Sequence, residues 1–319
     1  MTSLVWLAFF SIYIGLLALD LVVLHREARV LQVRQALGWT VVWILVALSF
    51  GGLVYGLYEY NWFGWTAGEG MIEGRGALVQ YVTGYLLEWS LSVDNIFVMA
   101  LIFTYMKIPA ELQYRVLFWG IVGAIVLRGA MIALGSALIH SFDWMFYVFG
   151  GILLVSAARM LRPEEEEYDP SKSVLMRLAQ KVYPITDKLD GERFFTRVDG
   201  KSAATPLFVT LLFIDFADVV FAVDSIPAIF AVTQDPFLVF SSNAFAILGL
   251  RSLYFAIAGM MAMFHYLKIS LVFILGFIGI KLMLVHHYKI PDGVSLSVIV
   301  GMLAIGVLAS IMTKSKHKS

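Results

Sequence analysis

EWSLSVDN at residues 88–95 and DVVFAVDS at residues 218–225 decide how this chain is built. In each, an acid (Glu88, Asp218) precedes a second acid (Asp94, Asp224) by six residues, with a small amide or hydroxyl (Asn95, Ser225) directly after. Mostly apolar residues fill the interval and extend well beyond it on both sides. A carboxylate in the hydrocarbon region of a bilayer costs roughly 2.5–3.5 kcal/mol on insertion scales, so it persists where it pairs or acts. Two such segments imply a duplicated unit converging on one polar site.

Outward from the acids the chain reads as membrane throughout. Hydrophobic residues make up 60% of it and charged residues 14%, which excludes an ordinary soluble domain. Crossing a bilayer takes about 20 helical residues. Apolar runs of that order lie at 4–24, 38–58, 78–105, 114–138, 143–161, 205–233, 241–264, 269–288 and 293–312. The fold class is therefore all-α, a polytopic bundle of about nine transmembrane helices. The first run has no basic residue before it and no small-residue cleavage site after it, and is expected to be a span rather than a cleaved signal peptide.

The duplication extends past the acids. Arg128 in VLRGAMIALG and Arg251 in GLRSLYFAIAG share a Leu-Arg pair, and a second base follows each, Arg159 after 31 residues and Lys281 after 30. Each unit then holds three spans. An odd number obliges the second unit to enter the membrane from the opposite side, so the pair is expected to be an inverted repeat. The organisation that follows is an N-terminal hairpin (1–77), repeat one (78–161), a loop (162–204), repeat two (205–288), and a last span with a basic tail (289–319). In the loop, 173–183 reads as an amphipathic helix and Asp199-Gly200 as a tight turn.

With the N-terminus outside, 17 of the 23 Lys and Arg fall in cytoplasmic segments, two (Arg75, Lys289) outside and four within spans. That asymmetry predicts N-out, C-in. The equal numbers of acids and bases therefore say nothing about partners. Absence of cysteine rules out disulfides and thiolate metal ligation in this chain.

Glu88, Asp94, Asn95, Asp215, Asp218, Asp224 and Ser225 are the candidate metal ligands. All offer hard oxygen donors, which suit Mg²⁺, Ca²⁺ or Mn²⁺ better than Cu⁺ or Zn²⁺. Met99 is nearby and reads as packing. Six residues of helix set the two acids of a pair about 9 Å apart along the axis and roughly 120° around it, so either the helix unwinds or the acids are separate stations. Pro227 favours a broken helix in the second half, where the first half has no matching proline. Against the metal reading stands a structural one, in which the acids merely balance Arg128, Arg251 and Lys281. Arg159 is expected to snorkel, and Asp20 to pair with His25 or Arg26.

EWSLSVDNIFV together with DFADVVFAVDSIPAIFAVTQDPFLVFSSNAFAILGLRSLYF resembles the TerC family of integral membrane proteins, including its Alx-type members, over nearly the whole chain. The resemblance implies a bacterial inner-membrane protein of a family associated with tellurite resistance and with manganese export, similar in architecture to the three-helix repeats of lysine exporters. A secondary transporter exporting Mn²⁺, by proton exchange, is the expectation. Mn²⁺ would be its substrate, with no prosthetic group. A non-transporting scaffold for metal or partner proteins is the alternative. No G-x-x-x-x-G-K-[ST] motif appears, nor a Gly-x-Gly-Asp setting around Asp94 or Asp224, so neither ATP hydrolysis nor intramembrane proteolysis is expected and the chain is read as no enzyme. Expected partners are the divalent ion, protons and the lipid bilayer, without nucleic acid. Homo-oligomer formation is left open.

Overall fold

The chain was examined as a computed structural model, which describes residues 2–20, 32–65, 72–142, 144–161, 176–177, 181, 183–198, 200–258, 267–285, 287–288 and 290–316. Among these, helix occupies every one of the nine apolar stretches. In chain order the helices are α1 (Thr2–Ala18), α2 (Val33–Glu59), α3 (Gly74–Tyr105), α4 (Ala110–Ser141) and α5 (Met145–Met160). After a small hairpin, β1 (Phe195–Val198) and β2 (Lys201–Ala204), come α6 (Pro206–Phe230), α7 (Pro236–Ile247), α8 (Leu250–Ala258), α9 (Leu267–Met283) and α10 (Asp292–Lys316). Helices α2, α3, α4, α6 and α10 are long and apolar enough to cross a membrane, and α7 with α8, bent by 47°, passes the same test when taken together. The chain is thus a helical membrane bundle. Every backbone polar group in such a setting must find its partner within a helix, which is why long apolar sequence becomes helix here.

Local chemistry sets the boundaries. Lys107 takes a left-handed φ of 51°, and Pro109 caps α4, so α3 and α4 meet in a tight turn. Pro206 opens α6 at its first turn, where its missing N–H costs nothing. Asp235 caps α7 by accepting from the N–H groups of Phe237 (2.8 Å) and Leu238 (3.2 Å), and takes a third bond from the Tyr58 hydroxyl at 2.7 Å. β1 pairs with β2, with Val198 opposite Lys201 and Gly200 at φ 75°; Asp199 of the turn read there lies outside the described residues. Most of the 173–183 helix expected in the loop lies outside the described residues.

Pro227 does not break its helix. α6 is continuous through Asp224, because the proline falls in its last turn, where little helix remains to be interrupted. The break comes at Leu248–Gly249 instead, between α7 and α8. Gly249 adopts φ 78°, and a Cβ there would lie 2.5 Å from Cδ1 of Trp43 on α2. Both the backbone and the indole demand glycine.

α3 is the most enclosed of the membrane-length helices and α10 the least. It packs against α2, α6, α7 and α10, while α4 packs on α6 and α5 on α9. Gly150 and Gly279 bring α5 and α9 together, each Cβ position lying 3.0–3.1 Å from the other's carbonyl oxygen, the close approach that small residues permit between membrane helices. Exchanging the third, fourth and fifth spans with the sixth, seventh and eighth sends the α3–α6 and α5–α9 contacts onto themselves and α4–α6 onto α3–α7.

Directions follow from side-chain neighbours. Leu87 of α3 shares a core with Ala222, Ile226 and Ile229 of α6, whereas Val93, Ile96 and Phe103 share another with Leu207, Phe213 and Ile214. α3 and α6 therefore run antiparallel. α4 and α6 run parallel: Gly120 faces Ile214, Gly123 faces Asp215, and Gly135 faces Ile226 and Phe230.

Candidate functional site

Three helices deliver charge to one buried point. Arg128 projects from the middle of α4, and its guanidinium lies between Glu88 of α3 and Asp218 of α6, all three no more than 3% exposed. Asp218 is held in a fork: Nε donates to its two oxygens at 3.2 and 2.9 Å, and Nη2 donates to Oδ1 at 2.6 Å. Nη1 forms an ion pair with Glu88. The planar guanidinium suits this task, because it presents several donors in a fixed geometry to two carboxylates at once.

Two amides complete the arrangement. With its amide turned to the orientation that its neighbours require, Asn95 accepts from Arg128 Nη2 at 3.2 Å and donates to the Leu91 carbonyl at 3.1 Å. Asn243, on α7 just before the Gly249 break, donates to Glu88 Oε2 at 2.9 Å. Beside them the apolar side chains of Ile125, Ile132, Phe240 and Ile247 line the space next to Arg128 and Asn243, and Glu88, Arg128, Asp218 and Asn243 are buried. The charges are thus sealed from solvent on that side and satisfied by one another, the condition under which a buried ionic group is tolerated.

Asp215 sits one turn before Asp218 on the same face of α6. Its carboxylate packs on Gly123 of α4, where a Cβ would come within 2.8 Å of Oδ1, and that oxygen is buried with no hydrogen-bond partner among the described residues. Asp224 is half-buried and accepts from Ser156 Oγ of α5 at 2.5 Å. Arg159, exposed in the last turn of α5, adds its charge to the surroundings of Asp224. Ser225 is buried, its hydroxyl without a partner among the described residues. Asp94 is half-buried on α3.

Convergence of all the acids on one chamber is not what the helices produce. Both α3 and α6 stay helical through their acid pairs, so the alternative of separate stations holds. Because the two helices are antiparallel, Asp94 and Asp224 point toward opposite ends of the acidic zone. Among the described residues no three His, Asp or Glu side chains stand together as a ready metal cage. Of the seven candidate ligands, Glu88, Asp218 and Asn95 meet at Arg128, Asp215 adjoins them, and Asp224 with Ser225 belongs to a second station.

The remaining bases have their own acids. Arg251, 1% exposed on α8, donates from Nη2 to the Asp20 backbone oxygen at 2.5 Å and approaches the Asp20 carboxylate at 3.8 Å. Asp20 therefore answers to a base 231 positions away; His25 and Arg26 lie outside the described residues. Lys281 donates to Ser295 Oγ at 2.9 Å and lies 3.6 Å from Asp292, which in turn accepts from Gln80 of α3 at 2.8 Å. Asn243 and Ser156 escaped the sequence reading. The Ser241-Ser242-Asn243 run inside an apolar span was the available signal for Asn243, by the same rule that exposes buried acids. Ser156, a lone hydroxyl able to bond its own helix backbone, gave none.

Comparison with known proteins identifies the family. A family model described as "Integral membrane protein TerC family" matches residues 73–318. An uncharacterized membrane protein of Myxococcus xanthus, STKORF319, is 46% identical over 312 residues, covering 98% of this chain and 93% of its own. A protein of Escherichia coli strain K12, provisionally named membrane-bound redox modulator Alx, is 42% identical over 317 residues, covering 99% and 97%. Its namesake in Photorhabdus laumondii is 42% identical over 319 residues, covering 100% and 97%. No solved structure matches the chain.

Proposed function

The chain belongs to the TerC family of integral membrane proteins, and on that premise we propose that it is a secondary transporter exporting a divalent metal ion, Mn²⁺ above others, through its intramembrane carboxylates. The observation that carries this reading is the Glu88–Arg128–Asp218 cluster, in which one acid from each half of the bundle is drawn to a single cation deep in the protein. A site that already holds a guanidinium between two carboxylates is built for positive charge. Its oxygens are hard donors, which favour Mn²⁺, Mg²⁺ or Ca²⁺. Asp94 and Asp224, toward opposite ends of the acidic zone, extend the carboxylates toward either side of the membrane.

Proton exchange fits the same chemistry. Carboxylates crowded in a low-dielectric interior disfavour full ionisation, so an entering divalent ion displaces protons from them. Ion and proton then compete for the same oxygens. The protein is read here as one of the bacterial inner membrane, N-terminus out and C-terminus in, a reading that the distribution of Lys and Arg supports. A cysteine introduced at position 175, in a chain with no native thiol, reports that orientation: it should resist an impermeant reagent outside intact cells, and labelling from outside reverses the assignment.

A second reading is favoured by the neutralisation itself. Acids fully paired with Arg128 and sealed from water are what a non-transporting scaffold would need. The redox role in the E. coli relative's name cannot run through thiols in this chain, which has none. Uptake of Mn²⁺, Ca²⁺ and Mg²⁺ into vesicles containing only this protein separates the two readings. Mn²⁺ flux that accelerates under an opposing proton gradient, and is lost in Asp94→Asn and Asp224→Asn, supports the transporter. Flux of none of the three ions, from protein that is folded, leaves the scaffold.

A further inference from the structure

The transport reading leaves Arg128 unexplained, since a fixed cation repels a cationic substrate. Its surroundings supply an account. The guanidinium occupies the position between Glu88 and Asp218 and binds the same oxygens, those of both carboxylates and of Asn95, that an incoming ion would use. One turn away on α6 stands Asp215, with a buried oxygen that has no partner among the described residues. Three residues of helix separate Asp215 from Asp218, about 4.5 Å along the axis. A shift of that size lies within reach of the arginine side chain by rotation about its own bonds.

Direction favours the move as well. Side chains on a helix lean toward its N-terminus. Because α4 runs parallel to α6, that lean carries Arg128 toward the level of Gly123 and therefore toward Asp215, which packs on Gly123. The missing Cβ at 123 is what allows the Asp215 carboxylate to lie against α4 at all. Charge then explains selectivity. A monovalent ion replacing the guanidinium gains nothing in net charge and forfeits a forked pair, whereas a divalent ion brings one more positive charge to the two acids.

We propose that Arg128 is a tethered counter-cation: it holds the place of the substrate between Glu88 and Asp218, and withdraws to Asp215 when a divalent ion displaces it. Asp215 in this scheme is a docking partner for Arg128 rather than a ligand of the metal. The inference rests on the transport reading, and the following measurement tells the two apart.

Equilibrium binding of Mn²⁺ to the purified full chain is measured for wild type, Arg128→Gln, Asp215→Asn and the double variant, with folding checked by circular dichroism and gel filtration. Removing the competitor should tighten Mn²⁺ binding about tenfold, and removing its docking partner should weaken it by a similar factor, the size expected for directly coupled residues. In the double variant the Asp215→Asn effect should vanish, because the docking partner has nothing left to receive. Na⁺ should compete with Mn²⁺ in Arg128→Gln and not in wild type. Should Arg128→Gln fail to fold, Arg128→Lys takes its place: the compact ammonium loses the fork on Asp218, so binding tightens in the same direction by less. An Asp215→Asn effect that persists without Arg128 makes Asp215 a metal ligand and overturns the proposal, as does unchanged or weaker Mn²⁺ binding in folded Arg128→Gln. If wild type carries Mn²⁺ in vesicles while either of those results holds, the counter-cation idea alone has failed. If neither wild type nor any variant binds or carries Mn²⁺, the transport reading falls and takes the proposal with it.

Discussion

Arg128 and Arg251 stand at matching places in the two halves of the bundle, each following a Leu in the middle helix of its unit, yet they are employed differently. Arg128 rises from a straight 32-residue helix and is shared by acids of both halves. Arg251 follows the Gly249 break and fastens Asp20, at the end of the peripheral α1. The α3–α6, α5–α9, α4–α6 and α3–α7 contacts map onto one another when the two units are exchanged, while the charges do not. One central point between two acids has room for one guanidinium, so the second arginine is free for another duty. Within the duplication read from the sequence, like contacts and unlike charges leave a single cation position between the two units.

The largest effect expected from this contrast is on stability. Arg251→Met takes from the fully enclosed Asp20 the guanidinium that approaches it at 3.8 Å, and removing one partner of a buried pair costs about 3–5 kcal/mol. Asp20→Asn in the same chain should recover most of that, because a neutral pair of similar shape carries no stranded charge. Mn²⁺ should recover none of it. Arg128→Gln should behave in the opposite way: the metal-free protein melts lower, and Mn²⁺ raises its melting temperature more than it raises that of wild type, since a ligand stabilises in proportion to its affinity for the folded state. Thermal unfolding in detergent with and without Mn²⁺ reads both. Equal rescue of the two variants by Mn²⁺ would erase the distinction between a structural and a substrate-competing arginine.

A smaller effect is expected at the break that sets the two arginine helices apart. Gly249→Ala meets two separable penalties, a left-handed backbone worth roughly 1–2 kcal/mol for an L-residue and a clash with Trp43 of the overpacking kind, about 1–3 kcal/mol. Trp43→Ala, which removes the Cγ and Cδ1 atoms that a Cβ at 249 would meet, should shrink the Gly249→Ala penalty toward the first alone when the two are compared in that background. Asn243 and Arg251 lie on either side of this bend, so loss of Mn²⁺ binding in Gly249→Ala that Trp43→Ala does not restore would tie the backbone conformation itself to the Asn243–Glu88 bond.

How far such features could be read beforehand depended on their range. Glu88, Asp94, Asp218 and Asp224 were legible because a carboxylate in an apolar run violates a local rule, and the nine helical stretches because length and hydropathy are local too. Pairing was not legible. Arg128 meets Asp218 across 90 positions and Arg251 meets Asp20 across 231, and no spacing rule reaches that far. Pro227 and Gly249 show the same limit at the backbone. A proline disrupts only the helix that would continue past it, and α6 ends within a turn. A glycine permits a break anywhere and needs a neighbour such as Trp43 to demand one. Asp215 was read as a ligand because it is a hard oxygen donor in an apolar run; its contact with Gly123 of α4 is what suggests a different employment.

The smallest effect is expected within α6 itself, where the central acid and the second station sit on one helix. Asp218 is held by a formal charge in a fork, whereas Asp224 is held at 2.5 Å by the neutral hydroxyl of Ser156. A hydroxyl can turn away and be replaced by an ion's own attraction at little cost, while a guanidinium has to be displaced. Asp224 should therefore be the readily exchanged station and Asp218 the slow one. Ser156→Ala removes a single hydrogen bond to a half-buried carboxylate and should lower stability by no more than about 1–2 kcal/mol. On transport, its expected signature is a change in the apparent Mn²⁺ affinity with the maximal rate nearly unchanged, since displacement of Arg128 remains the slow step. A fall in maximal rate with unchanged affinity would place the slow step at Asp224 and reverse the assignment of the two stations.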